Sequence, residues 1–185
     1  MNGAAPLVAL LQEVVPGVAF EPVASIDLQE TVYVQRDDIP TLARALRDNP
    51  ALKFDLLAEL TAVDFWPREP RFEVVYTLVA TEHLKRLRVK VRLHGSDAHL
   101  ESVTSVWPAA NWLEREVWDL FGIAFDEHPD PRRLLMPEDW EGHPLRRDYP
   151  VQIKLPVRTG SALQVTEEEF RANVEKDRLT RSPKS

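Results

Sequence analysis

The chain has 185 residues, enough for one domain with a proper core and an added arm but too few for two full domains. A hydrophobic share of 44% argues against global disorder, and a net charge of -7 disfavours an electrostatic grip on nucleic acid or on an anionic membrane surface. Cysteine is absent, so the chain alone can neither ligate an iron-sulfur cluster nor build a disulfide framework nor use a thiolate nucleophile.

In the first twenty residues, MNGAAPLVALLQEVVPGVAF, there is no basic n-region, and acid and proline interrupt the apolar run. Neither a signal peptide nor a spanning helix is expected, which places the chain in the cytoplasm or at a membrane only through partners. Leu7, Leu10, Leu11 and Val14 predict an amphipathic helix over Pro6 to Val15, stopped by Pro16 and Gly17. Strands are expected at Phe20 to Ile26 and Glu30 to Gln35. Asp37 or Asp38 should then cap a helix that buries Ile39, Leu42, Ala43 and Leu46 and ends at Asn49 and Pro50.

Phe54 to Phe65 fits both the helical and the strand period, so its type stays open. Arg71 to Ala80 and Leu84 to Leu93 read as strands joined by a short antiparallel connection. In the second, Leu87, Val89, Val91 and Leu93 should meet a core while Arg86, Arg88, Lys90 and Arg92 meet water. Pro108 to Phe121 predicts a helix with proline in its first turn, Gly122 as a left-handed cap, and Leu113, Val117, Leu120 and Phe121 as its buried stripe. On another face, Arg115 and Asp119 lie four apart and can pair, and Glu116 can reach a neighbour outside the helix.

Beyond Phe125, Pro129, Pro131, Pro137, Pro144, Pro150 and Pro156 recur too often for a helix or a central strand. Leu134, Leu135, Met136, Trp140, Leu145 and Tyr149 nevertheless need burial, which such a segment usually finds on another surface. Thr166 and Glu169 have capping-box spacing for a short terminal helix. The expected class is α+β: a compact domain over 1–126 with a mostly antiparallel or mixed sheet flanked by helices, and an extended, partner-binding arm over 127–185.

Candidate chemistry is thin. His128, Asp130, His143, Glu138 and Glu141 lack the spacing of a metal site, and their imidazoles are better read as bonded to backbone in a Pro-rich loop. Glu114 and Glu116 point to different sides of their helix, so ion pairing with Arg115, Arg132 or Arg133 is a better reading than a shared proton site. No nucleophile elbow or phosphate-binding glycine loop is present. Arg132, Arg133, Arg146 and Arg147, interleaved with Trp140 and Tyr149, suit a carboxylate-bearing protein surface better than nucleic acid; the alternative is a loop folded back on its own domain.

A long ordered string now stands out: Glu114-Arg115-Glu116, Asp119-Leu120-Phe121-Gly122, His128-Pro129-Asp130, Arg132-Arg133-Leu134-Leu135, Pro137-Glu138, and Gly142-His143-Pro144-Leu145-Arg146 through Asp148-Tyr149-Pro150, led in by Trp107-Pro108 and Asn111-Trp112-Leu113. It resembles the signature of the thirty-kilodalton (C) subunit family of respiratory complex I, the proton-pumping NADH-quinone oxidoreductase. Arg147 stands where the family's ending carries Lys, which keeps charge and alters hydrogen-bond geometry.

The resemblance implies a non-catalytic subunit of the hydrophilic arm, with FMN and iron-sulfur clusters held by partner subunits and none by this chain. It implies docking on the large quinone-site subunit and its iron-sulfur neighbours, no nucleic-acid partner, and a peripheral position on the cytoplasmic side of the membrane. Motif residues carried over as interface are Glu114, Arg115, Glu116, Asp119, His128, Arg132, Arg133, Glu138, Trp140, His143, Arg146, Arg147, Asp148 and Tyr149. Within them, Arg115 and Asp119 are expected to brace the helix locally, and Glu114 and Glu116 to pair with arginines of the arm. The arm should be mobile or self-packed in the isolated chain and ordered against a partner. Rival readings are the equivalent subunit of a membrane-bound hydrogenase or other related oxidoreductase, a stand-alone interaction module, and a small enzyme using Glu114 and His128.

Overall fold

The computed structural model describes residues 5–150 and 166–181. In chain order these form α1 (Ala5–Val14), β1 (Glu21–Val23), β2 (Thr31–Tyr33), a 3-10 turn (Arg36–Asp38), α2 (Ile39–Asp48), β3 (Leu56–Asp64), β4 (Phe72–Ala80), β5 (Lys85–Leu93), β6 (His99–Glu101), α3 (Ala110–Phe121), β7 (Ala124–Asp126) and α4 (Glu167–Arg181). The main sheet runs β1-β2-β5-β4-β3, and β6 pairs with β7. All main-sheet neighbours are antiparallel except the parallel β2 and β5. The expected α+β class with a mixed sheet and flanking helices is therefore the fold.

Alternation explains the sheet. Leu87, Val89, Val91 and Leu93 of β5 and Phe72, Val74, Tyr76 and Leu78 of β4 are all buried on one side. On that side α2 lays Ile39, Leu42, Ala43 and Leu46 against Leu78, Val89, Val103 and Trp107. The ambiguous stretch resolves as strand β3, because burial of Leu57, Leu60, Ala62 and Asp64 follows a two-residue period interrupted by an irregularity between Leu57 and Glu59. The opposite side is less wet than alternation suggests. Lys90 donates to Glu73 at 2.8 Å, Tyr33 donates to the same carboxylate at 2.5 Å, and Arg88 reaches Asp27 and Gln29, so cross-strand pairs half-cover that face.

Several local expectations need correction. Asp38 makes no side-chain cap bond, because the 3-10 turn carries helical backbone straight into α2 and leaves no extended residue from which a carboxylate could fold back. α3 begins at Ala110, two residues after Pro108, while Gly122 is the left-handed cap expected, with φ 71. Leu113 and Leu120 are only partly buried. Fully buried on the same helix are Glu114 and Asp119, both 0% exposed, with Arg115 close behind.

The chain divides into two compact units, Met1–Tyr149 and Pro150–Ser185. Irregular chain from Glu127 to Tyr149 belongs to the first. In the second, α4 opens with the expected capping box: Thr166 N–H donates to Glu169 Oε2 at 3.0 Å and Glu169 N–H to Thr166 Oγ1 at 3.3 Å. Among the described residues no helix is long and apolar enough to cross a membrane. Pro156, in the expected arm, lies outside the described residues.

Candidate functional site

A segment without regular structure cannot pair its own backbone, so every buried peptide group in it needs a partner. Residues 132–136, and Leu145 further on, find theirs on α3. Arg115 points out of the helix to donate from Nε to the carbonyl of Arg132 at 2.9 Å and from Nη2 to that of Arg133 at 3.0 Å. Four residues on, on the same face, Asp119 does the converse. Its Oδ2 accepts the backbone N–H groups of Leu134 (3.0 Å), Leu135 (2.8 Å) and Met136 (2.8 Å), and its Oδ1 accepts Arg133 Nη1 at 2.6 Å. One helix face thus grips five consecutive residues of chain by carbonyls and amides alike.

Burial pushes the Asp119 carboxyl up, but the N–H bonds and Arg133 outweigh it and the net shift is downward. The expected local pair of Arg115 with Asp119 is not what forms: each turns to the arm, and Arg115 instead meets Asp130 at 3.3 Å with its guanidinium 5.2 Å from the Trp112 ring centre.

At its C-terminus α3 leaves four carbonyls without intrahelical donors. Gly122 N–H takes that of Trp118, His143 Nδ1 meets that of Asp119 at 3.0 Å, Leu145 N–H takes that of Leu120 at 3.0 Å, and Arg146 Nε donates to that of Phe121 at 2.6 Å. Arg146 also reaches the Gly122 carbonyl and adds a cation where the helix dipole is negative. The arm is therefore the C-cap of α3. Gly122 is required twice over, since its φ is positive and an added Cβ would overlap His143 and Arg146.

Farther along, Asp148 sits bidentate on Arg71, whose guanidinium is held on its other side by Asp64 at 3.0 and 2.8 Å. Asp64 also accepts the N–H of Arg147 at 2.9 Å. Burial raises its carboxyl, yet Arg71 and the Arg147 and Trp66 amides leave it lowered to about 2. Trp140 stacks on Tyr149, whose hydroxyl donates to the Glu141 carbonyl.

Glu114 does not pair with an arginine of the arm, contrary to expectation. Its oxygens accept the Val103 N–H at 2.8 Å and the Ser102 hydroxyl at 2.7 Å, with His128 Nε2 at 3.8 Å. Burial lifts its carboxyl to about 7 against those two bonds. His128 accepts the Asp130 N–H at Nδ1, so Nε2 carries the proton and donates to the Asn111 carbonyl. Both imidazoles of the arm are thus bonded to backbone, as the Pro-rich loop suggests. Glu116, half-buried, makes no hydrogen bond or ion pair among the described residues, so its expected arginine is also absent there. Arg132 pairs with Asp130, Arg133 with Asp119, and Glu138 and the Arg147 side chain stay exposed.

Sequence reading passed over Asp64, Arg71 and Ser102. For Asp64 a signal existed, a carboxylate in buried phase with Leu60 and Ala62, but the open type of that segment hid it. Among the described residues no group of three or more His, Cys, Asp or Glu side chains is placed to hold a metal ion.

Comparison with known proteins fits this geometry. The family described as respiratory-chain NADH dehydrogenase, 30 Kd subunit, matches residues 32–154. The C subunit of NADH-quinone oxidoreductase from Roseiflexus sp. (strain RS-1) is 50% identical over 121 residues, covering 65% of this chain and 70% of that protein. Its counterpart from Saccharopolyspora erythraea is 43% identical over 139 residues, covering 73% of this chain and 56% of that protein. Among solved structures, a trypsin-resistant fragment (1-134) of Nqo5 aligns with a TM-score of 0.54 at 34% identity, over 67% of this chain and 98% of that one. A chain of the membrane-bound sulfane sulfur reductase, an archaeal respiratory membrane complex, aligns with a TM-score of 0.66 at 25% identity over 97% of this chain and 94% of that one. With a match that runs from β2 through α3 to residue 154, this chain belongs to the family of the 30 Kd subunit of respiratory-chain NADH dehydrogenase.

Proposed function

We propose that the chain is the thirty-kilodalton (C) subunit of the hydrophilic arm of respiratory complex I and acts there as a non-catalytic scaffold. The observation that carries this reading is the family match over residues 32–154 together with 50% identity to a C subunit of NADH-quinone oxidoreductase. In this reading FMN and the iron-sulfur clusters belong to partner subunits, which pass electrons from NADH to quinone coupled to proton translocation. The absence of cysteine supports that division of labour.

Geometry adds a reason for the scaffold role. Backbone groups of residues 132–136 and the side chains of Arg133, His143 and Arg146 are turned inward onto α3, while Trp112, Leu135 and Leu145 remain exposed. Aromatic and aliphatic tips on a fixed backbone are what a partner surface can desolvate with little further loss of conformational entropy. We assign this face to the large quinone-site subunit and its iron-sulfur neighbours, on the cytoplasmic side of the membrane, with attachment to the bilayer only through the complex. By role the chain is then a globular part over 1–126 and a partner-binding arm over 127–185, of which the stretch to Tyr149 belongs to the same compact unit as the globular part.

A second reading, the equivalent subunit of a related oxidoreductase, draws on the likeness to the sulfane sulfur reductase chain over 97% of this one. Identity of 25% there against 50% for the NADH-quinone oxidoreductase relative favours the first. A pull-down of the tagged chain from its native membranes in gentle detergent decides between them. The complex I reading predicts co-elution of flavin, clusters and NADH-dependent quinone reduction, whereas elution alone or with a sulfur- or hydrogen-metabolising partner contradicts it.

A further inference from the structure

The arm docks at the end of the sheet where Phe72 pairs with Leu93; the other end of the same hairpin, where Ala80 pairs with Lys85, lies roughly 27 Å away at ~3.4 Å per residue. Toward that far end lie the most exposed aliphatic side chains of the described residues. Ile26 is 104% exposed, Leu28 91% and Leu84 89%. Leu28 and Leu84 border a groove of about 680 Å³ whose floor is Leu7 and Leu10 of α1 and whose remaining walls are Asp27, Gln29, Glu30, Lys85 and Arg86.

These tips are presented, not merely left over. Leu28 and Leu84 both sit at positive φ, 60° and 52°, a conformation that is costly for a side chain of that kind. The turn carrying Ile26 and Leu28 is fastened by Asp27, which accepts the Ser25 hydroxyl, the Gln29 N–H at 3.1 Å and Arg88 Nη2 at 2.7 Å. Beside them the exposed Arg86 side chain makes no hydrogen bond or ion pair among the described residues, and Lys85 lies close enough for its charge to act on the Glu30 carboxyl.

We propose that this groove is a second partner-docking surface, and that its occupant is an amphipathic helix of another subunit with aliphatic anchors on one stripe and a carboxylate beside it for Arg86 and Lys85. The inference rests on the complex I reading and adds to it a site at the opposite end of the sheet from the arm. A concave floor between convex tips receives side chains at helical spacing. An unpaired guanidinium at the rim asks for an acid. A phospholipid surface fits less well, because Asp27 and Glu30 line the same groove and the chain carries net charge -7.

The test uses the assembled complex. A photo-reactive phenylalanine analogue replaces Leu84, the complex is irradiated, and the cross-linked peptide is sequenced. The expected product is one segment of a neighbouring subunit with aliphatic residues three and four apart and Asp or Glu beside them. Cross-links to phospholipid, to a second copy of this chain or to a segment without carboxylates overturn the proposal, as does no cross-link.

In parallel, Ile26→Ser with Leu84→Asn removes two tips, and asparagine suits a left-handed position better than leucine. The isolated variant should keep or exceed the wild-type thermal midpoint, while retention of that neighbour falls about tenfold or more. If wild type carries the NADH-oxidising partners and the variant retains all of them equally, the groove assignment alone fails. If wild type carries none of them, the complex I reading fails and the groove assignment with it.

Discussion

The β4-β5 hairpin and the arm are held by opposite means. In the hairpin, backbone groups pair with each other and the side chains are free to bury Leu87, Val89, Val91 and Leu93. In the arm, backbone groups have no strand or helix to join, and charged side chains of α3 serve them one by one. Charge is thus buried here to order an irregular chain, and its removal leaves several donors orphaned at once.

The sharpest way to break that contrast is Asp119→Ala. Loss of one buried carboxylate leaves three N–H groups without their acceptor and Arg133 without its ion partner, so a destabilisation of about 3 to 5 kcal/mol in urea unfolding is expected. Leu87→Ala should cost about 2 to 5 kcal/mol by leaving a cavity, yet leave the α3-arm bonds in place. Amide exchange in the two variants should differ in where protection is lost, from the arm in the first and from the sheet in the second. Gly122→Ala comes next, at about 1 to 3 kcal/mol, because a left-handed cap and the seats of His143 and Arg146 are disturbed together.

A finer test uses pH. The Glu114 carboxyl is raised to about 7 in the folded chain against 4.5 as its ordinary value, so the folded state binds more protons between those values. Its contribution is fully present below about pH 4.5 and is lost as pH rises through about 7. Asp64, held at about 2, acts in the other direction: its contribution is present above its ordinary 3.8 and lost as pH falls through about 2. Glu114→Gln should therefore flatten the decline of stability between about pH 4.5 and 7 and leave the acid limb unchanged, as read by thermal midpoints across that range.

Sequence alone made the hairpin legible, because a two-residue period needs no knowledge of partners. Val117, Phe121 and Gly122 of α3 were legible for the same reason, the helical period and the cap. What periodicity could not supply was the destination of Glu114, Arg115 and Asp119. Spacing of four made an internal Arg115-Asp119 pair plausible, but a stronger claim came from unpaired peptide groups more than ten residues downstream. The arm's apolar and proline content said that it needs a surface; that the nearest surface is its own helix depends on Gly122 reversing the chain, and on Arg71 and Asp64 waiting at the end of two strands.

The most direct measurement is residue-resolved amide exchange on the isolated chain, compared with Asp119→Ala. The account predicts that the amides of Leu134, Leu135 and Met136 are protected without any partner and lose that protection in the variant, while β4 and β5 keep theirs. Exchange of these three amides at free-peptide rates in the wild-type chain would contradict it and make the order of the arm a consequence of its partners.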